Sequence, residues 1–137
     1  MQKISCAGVI FITSDNKVLL EDRRKIRKHK EHWSFFGGSV EKGETHEETM
    51  KREIEEETGF RIKEYKYFKE YTFIPNNNPD LELTYHMYIA QAPGLDTLTI
   101  HSRGGIKAFT FKQAFRLSTT EKDKEILNDV RLSLNIK

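Results

Sequence analysis

Residues 36–60, FGGSVEKGETHEETMKREIEEETGF, decide the fold around them because they encode one helix with a marked beginning and end. Thr45 is a preferred N-cap residue, and Glu48 follows it at the spacing of a capping box. Gly59 suits the position just past a helix, where the backbone turns left-handed. The sequence therefore predicts a helix that starts after Thr45 and stops at Gly59.

Three glutamates crowd the end of this helix. Glu53, Glu56 and Glu57 share one face, because residues three and four apart are surface neighbours roughly 5–6 Å apart. Like charges at this spacing repel by about 0.2–0.5 kcal/mol per pair, and the negative end of the helix dipole opposes them as well. A bound hard cation would compensate, since carboxylate oxygens suit Mg²⁺, Mn²⁺ or Ca²⁺. The alternative is a solvated acidic face, the usual fate of a charge run.

A longer pattern surrounds these glutamates. It runs through Gly38, Glu44, Arg52, Glu53, Ile54, Glu56, Glu57, Gly59 and Phe60. This pattern resembles the Nudix box of the MutT-like hydrolases, G-x5-E-x7-R-E-U-x-E-E-x-G-U with U apolar, and all nine fixed positions are filled. At average residue usage, a chance match is on the order of 10⁻⁸. Two edges depart from the family: Phe60 is aromatic where an aliphatic residue is usual, and Phe36 stands where many members have proline.

The resemblance implies both a fold and a set of site residues. The fold is α/β, a Nudix-type α/β/α sandwich with a mixed central β-sheet and the Nudix loop-helix-loop, in one domain over residues 1–137. Mg²⁺, or Mn²⁺ in its place, would be held by Glu53, Glu56, Glu57 and the carbonyl group of Gly38. The implied catalytic residues are the same glutamates together with Arg52, while Glu44 and Gly59 serve the structure of the box. The implied substrate-binding residues are Arg23, Arg24 and Gly37, with Lys28 a further phosphate contact. A nucleobase could stack on the ring of Phe36, Tyr71 or Phe73, and core packing is the alternative role for each ring.

The implied activity is cleavage of the phosphoanhydride of a nucleoside diphosphate linked to another group. A nucleoside triphosphate giving the monophosphate and pyrophosphate is favoured because the chain is close to one bare domain. An ADP-ribose or nucleotide-sugar pyrophosphatase is the alternative, suggested by Pro75. A non-catalytic nucleotide-sensing domain is a third hypothesis, although such domains typically lose a box carboxylate that is retained here. Many small relatives form homodimers, and no interface can be identified from the sequence.

One expected carboxylate is missing. Many relatives carry a Glu-Gly pair before a late strand, and its glutamate serves as an extra metal ligand or base. This chain has HSRGG at residues 101–105, without a carboxylate. Asp80 or Glu82 would have to supply the group from another part of the chain.

Composition limits the other functional classes. The 137 residues are 36% hydrophobic and 32% charged, with a net charge of +2, which suits a single globular domain. Six of the eight residues in RRKIRKHK (23–30) are Lys or Arg, which predicts phosphate contacts, a solvated loop or nucleic-acid binding. No nucleic-acid motif supports the last. The apolar run 4–12 is too short to span a bilayer, so the expected location is the cytoplasm.

Hydrophobic periodicity and turn residues predict the remaining elements. A hairpin is expected from 4–13 and 18–23, followed by strands at 33–36, 61–74, 81–90 and 106–111. Residues 112–117 predict a short helix. Thr119 or Thr120 caps a last helix, whose apolar stripe is Ile126, Leu127, Val130 and Leu134.

Overall fold

A central mixed β-sheet organises the protein. The computed structural model describes residues 1–22, 33–94, 105–117 and 119–136. Within them the strands are β1 (Gln2–Ile12), β2 (Val18–Asp22), β3 (Trp33–Ser34), β4 (Phe36–Ser39), β5 (Lys66–Phe73), β6 (Leu81–Gln91) and β7 (Ile106–Phe109). The helices are α1 (His46–Thr58), α2 (Phe111–Phe115) and α3 (Glu121–Ser133).

Strand β1 is the centre of the sheet. It pairs with β6 in parallel along its whole length, from Gln2 opposite Leu81 to Ile12 opposite Gln91. It also pairs antiparallel with β4 and, at the predicted hairpin, with β2. Strand β2 pairs antiparallel with β3 and β7, and β5 pairs antiparallel with β6. The near-continuous apolar run of β1 is explained by this position, because both of its faces are covered.

Helices cover opposite faces of the sheet. Because side chains alternate along a strand, Ile10 packs in one core cluster while Val9 and Phe11 pack in the other. The first cluster includes buried residues of α2 and α3, among them Ile126. The second includes Met50 and Ile54 of α1. The two layers confirm the predicted α/β/α sandwich.

Helix α1 begins and ends as predicted. The Thr45 side chain accepts a hydrogen bond from the Glu48 backbone N–H, and the Glu48 side chain accepts one from the Thr45 N–H. Gly59 ends the helix with φ 75°, and its N–H donates to the Glu55 carbonyl over 2.8 Å. Its apolar side chains Met50 and Ile54 lie four residues apart, and both are 0% exposed.

Four predicted boundaries were wrong. The strand predicted at 33–36 is two strands, β3 and β4, and the glycine pair lies within β4. Strand β5 begins at Lys66 rather than at residue 61, because Ile62 is buried in the core beneath α1 and ties down the loop that follows the helix. Phe111 belongs to α2, since Thr110 caps that helix with Gln113. Leu134 lies outside the apolar stripe of α3: the helix ends at Ser133, and Leu134 remains 41% exposed.

The helices of the described segments are short relative to a bilayer. None of them combines the length and the apolar composition needed to cross a membrane.

Candidate metal and substrate site

Two consecutive glycines let the carboxylates of α1 lie directly against the backbone of β4. The Gly37 N–H donates to Glu57 Oε1 over 2.9 Å. A Cβ added to Gly38 would come within 3.0 Å of the Glu53 carboxylate. At Gly37, φ is +149°, a conformation that other residues rarely adopt, and a Cβ would meet the Ala7 carbonyl oxygen. The glycine pair is therefore required by this close approach.

The environment of these carboxylates disfavours their ionised forms. Burial raises the pKa of Glu53, and hydrogen bonding to the Arg52 guanidinium offsets part of this effect. Burial raises the pKa of Glu57 as well, and the neighbouring Glu21 carboxyl raises it further. Carboxyl groups whose pKa values are raised by burial and by a neighbouring carboxyl group are typical of functional sites, because a cation or a proton is needed to balance them.

Glu21, on β2, is the site residue that the sequence analysis missed. It is only 3% exposed, and its Oε2 atom has no hydrogen-bond partner in the structure as described. Leu19, two residues earlier on the same strand, packs in the core beneath α1, so alternation places Glu21 on this face too. A carboxylate directly after the apolar run Val18–Leu20, at the position that alternates with Leu19, was the signal that could have revealed it.

Arg52 connects the helix to the loop before it. Its Nε donates to Glu44 Oε2 over 2.7 Å, and its Nη1 donates to Glu53 Oε1 over 3.0 Å. Its Nη2 donates to the Ser39 carbonyl over 3.3 Å. Glu44 Oε1 also accepts from the Thr49 hydroxyl over 2.6 Å. Arg52 first, and then Thr49, lowers the pKa of Glu44 to about 2, so Glu44 stays ionised and braces this loop.

The three predicted metal-binding glutamates are not brought together equally. Glu53 and Glu57 face the glycine pair, whereas the Glu56 side chain is 59% exposed and lies 3.3 Å from Arg52 Nη1. In the parts of the chain that the structure describes, no three His, Cys, Asp or Glu side chains converge closely enough to hold a metal ion. Arg52 accounts for part of this arrangement, because it engages both Glu53 and Glu56.

The donor set nevertheless fits a hard divalent cation. The buried carboxylate of Glu21 and the partly buried carboxylates of Glu53 and Glu57 offer oxygen atoms alone, which Mg²⁺ and Mn²⁺ prefer. The unpartnered Oε2 of Glu21 is an oxygen atom that the protein leaves without a donor. The donor chemistry of this region therefore fits such an ion.

The predicted substrate contacts divide into three groups. Arg23, Arg24 and Lys28 lie outside the described residues, as does most of the 101–105 segment. Gly37 lies at the site, as described above. Phe36 is 1% exposed and packs edge-on against Phe11 at 5.7 Å between ring centroids. Its enclosed position corrects the expectation that a nucleobase could stack on this ring.

The two acidic residues considered as replacements for the missing carboxylate are far from the glycine pair. Glu82 lies opposite Lys3 on β1, whereas the residue opposite Gly38 is Ala7. Four residues of strand separate these positions, roughly 13 Å at 3.3 Å per residue. Asp80 precedes β6 altogether. Glu21 is the carboxylate from outside α1 that does reach the site.

Comparison with known proteins agrees with this architecture. The "Methanol dehydrogenase activator" of Bacillus methanolicus is 30% identical over 96 residues, covering 65% of this chain and 50% of that protein. An "8-oxo-dGTP diphosphatase" of Buchnera aphidicola is 33% identical over 59 residues, covering 43% of this chain and 45% of that protein. The chain thus spans half or less of the length of these curated relatives.

Solved structures share the fold over nearly the whole chain. The MutT NUDIX hydrolase from Burkholderia pseudomallei superimposes with a TM-score of 0.77 at 23% identity, covering 95% of this chain and 99% of that one. The NUDIX domain of NrtR from Shewanella oneidensis, solved with ADP ribose, gives a TM-score of 0.77 at 15% identity over 98% of this chain and 90% of that one. The family profile described as NUDIX domain matches residues 3–130. The chain belongs to the Nudix family.

Proposed function

We propose that the chain hydrolyses a phosphoanhydride bond in a nucleoside diphosphate derivative, with Mg²⁺ or Mn²⁺ as its cofactor. The observation that carries this proposal is the contact of two partly buried carboxylates of α1, those of Glu53 and Glu57, with the Gly37-Gly38 backbone. A divalent cation held there would neutralise negative charge on phosphate oxygens. The Nudix family generally uses such a metal.

The protein's own residues would divide the remaining work. Glu53 and Glu57 bind the cation, and the Gly38 carbonyl is the further ligand implied by the Nudix resemblance. Glu56, on the exposed side of Arg52, would join them when Arg52 releases it. Arg52 is a positioning residue, because it touches Glu44 and Glu53 and would not itself contact the substrate. Since burial holds Glu53 and Glu57 toward their neutral forms, cation binding releases protons and should strengthen as the pH rises.

A nucleoside triphosphate, cleaved to the monophosphate and pyrophosphate, is the favoured substrate. The Buchnera relative is named for hydrolysis of 8-oxo-dGTP, and the structural neighbours include proteins named MutT. The NrtR domain was solved with ADP ribose, which supports keeping ADP-ribose as the alternative substrate. Arg23 and Arg24 would contact the phosphates in either case.

The test is a substrate panel with product analysis. Triphosphates, ADP-ribose, nucleotide sugars and dinucleoside polyphosphates are incubated with and without Mg²⁺, and the nucleoside monophosphate, pyrophosphate and orthophosphate released are measured. The Mg²⁺-dependent rate of the Glu57→Gln variant should fall at least about 100-fold. Mutating a residue that only hydrogen-bonds to a metal ligand costs up to about that much, and Glu57 is proposed as a ligand itself. Glu55→Gln is the matched control, because Glu55 lies on the same helix as Glu57 but pairs with Arg61, beyond the end of that helix, over 3.1 Å.

Two results would contradict the proposal. The first is wild-type protein that binds a panel member without turning it over, which would favour the nucleotide-sensing hypothesis. The second is a Glu57→Gln variant that retains a near-normal rate, which would remove the acidic face of α1 from the mechanism.

A further inference from the structure

A buried carboxylate on β2 has no role in the Nudix box. Glu21 is 3% exposed, and it lies on the sheet face covered by α1. Charged side chains are almost never this buried unless they are paired, because removing a charge from water is costly. Glu21 is not paired with a cation in the structure as described; its near neighbour is another carboxyl group, that of Glu57.

The surrounding strands do not satisfy Glu21 either. Ser34 lies directly opposite on β3, and on the other side Ile106 of β7 offers no polar side chain. Both Glu21 Oε2 and the Ser34 hydroxyl are buried without a hydrogen-bond partner among the described residues. The serine opposite Glu21 therefore leaves Glu21 Oε2 without a donor, and the Glu21 carboxyl group neighbours that of Glu57, a proposed metal ligand.

We propose that Glu21 is a ligand of the divalent cation, binding the same ion as Glu57 from the opposite layer of the sandwich. Glu21 thus supplies, from β2, a carboxylate that does not lie on α1. The inference rests on the proposed function, since it concerns the cation that the proposed reaction needs. It explains why a carboxylate occupies an inward position next to Leu19, where an apolar residue would pack without cost.

Measurements of metal affinity and of stability can distinguish a metal-binding role of Glu21 from a purely structural role. Two variants are compared with wild type: Glu21→Gln, which keeps the shape, and Glu21→Met, which fills the position with an apolar side chain. Mn²⁺ binding is measured by calorimetry and by electron paramagnetic resonance at one fixed pH. The melting temperature is measured with and without Mn²⁺. Glu55→Gln serves again as the control, because it removes an exposed carboxylate from the same helix that carries Glu57.

We expect both Glu21 variants to bind Mn²⁺ at least about 10-fold more weakly than wild type. Without metal, both should be as stable as wild type or more stable, because a buried like charge beside Glu57 is removed. The increase in melting temperature on adding Mn²⁺ should shrink accordingly. A purely structural Glu21 would give the reverse pattern, with lower metal-free stability and unchanged affinity. The apolar variant keeps the test available if the amide proves difficult to fold.

The outcomes distinguish this inference from the function on which it rests. If wild type binds Mn²⁺ and turns over a substrate, but either folded Glu21 variant binds Mn²⁺ equally well, the inference alone is overturned. If wild type itself takes up no Mn²⁺, the inference and the proposed metal-dependent function fail together.

Discussion

Helices α1 and α3 have the same length and the same kind of N-terminal cap, but their charges are arranged differently relative to the helix dipole. Each has 13 residues, and each is capped by a threonine whose side chain accepts from the backbone N–H three residues later. They cover opposite faces of one sheet. Helix α3 carries Arg131 in its last turn, where a cation suits the dipole, whereas α1 has no basic residue there.

This contrast shows where the protein departs from the most stable arrangement. Helix α3 buries an apolar stripe, and its surface charges agree with its dipole, so it needs no special partner. Helix α1 gathers glutamates at its negative end and depends on Arg52 and on the glycine pair of β4 to hold them. Local rules are commonly broken at functional sites and satisfied elsewhere. This contrast agrees with a proposed site on α1 and a structural role for α3.

The largest expected effect comes from replacing one fully buried isoleucine in each helix by alanine. Ile54 and Ile126 are both 0% exposed, so Ile54→Ala and Ile126→Ala should each lower the free energy of unfolding by about 2–5 kcal/mol. Chemical denaturation measures this loss. At a temperature where both variants remain folded, only Ile54→Ala should also weaken Mn²⁺ binding, because Ile54 lies between Glu53 and the other site glutamates of α1. Equal effects on binding would mean that α3 also shapes the site.

The next effect comes from the glycine pair. In Gly38→Ala the new methyl group meets the Glu53 carboxylate, which is the movable end of a side chain. We expect Mn²⁺ affinity and turnover to fall about 10–100-fold, with a small change in melting temperature. Gly105→Ala is the control, since a Cβ there meets nothing within 4 Å. Wild-type affinity in Gly38→Ala would show that Glu53 does not need its present position.

A smaller effect is expected from the arginines of the two helices. Arg52→Gln removes the contacts to Glu44 and Glu53, so the loop before α1 should loosen and turnover should fall roughly 10-fold. Arg131→Gln removes contacts to Asn128 and to the Ile136 carbonyl, and should affect stability alone. Steady-state rates and melting temperatures of both variants test the distinction. A loss of turnover in Arg131→Gln would count against it.

The smallest effect concerns the pH dependence of stability in the metal-free protein, to which Glu57 of α1 and Asp129 of α3 should contribute with opposite signs. Burial, followed by Glu21, raises the pKa of Glu57 above that of an unfolded chain. Its contribution to stability is therefore complete at low pH and is lost as the pH rises through the folded value. Glu57→Gln should then gain stability relative to wild type as the pH rises.

The carboxylate of α3 should behave in the other direction. Burial raises the pKa of Asp129, but hydrogen bonds from Tyr71 and Lys69 outweigh burial and lower it overall. Its contribution is present above the unfolded pKa and is lost as the pH falls through the folded value. Asp129→Asn should therefore be less stable than wild type at neutral pH and converge with it in acid. Melting temperatures across a pH series measure both slopes, and slopes of the same sign would refute the contrast.

Much of the fold could be predicted because its signals are local. The caps of α1, the apolar pair Met50 and Ile54, and the first hairpin all follow from neighbouring residues in the chain. The predicted element boundaries were wrong where tertiary packing, rather than the apolar pattern of the sequence, decided the local structure. Ile62 and Leu134 each continued an apolar series in the sequence, but one anchors a loop and the other follows the end of α3.

The candidate site could be predicted only in part. The sequence identified the acidic flank of α1 and the glycines opposite it, because their spacing alone marks them. It did not show that Arg52 holds Glu56 outward while Glu53 and Glu57 face β4, since side-chain partners depend on the layers that meet. It also placed Phe36 at the substrate, whereas the structure encloses that ring in the core.

By itself, the sequence determined the acidic helix, its limits and the Nudix box, because hydrogen bonding and periodicity within a helix act over a few residues. Tertiary structure decided which carboxylates meet. Strand alternation turns Glu21 toward α1, and packing of α1 on the sheet brings Glu57 against it. That contact joins residues far apart in the chain, and it depends on register and layer packing that no local pattern encodes.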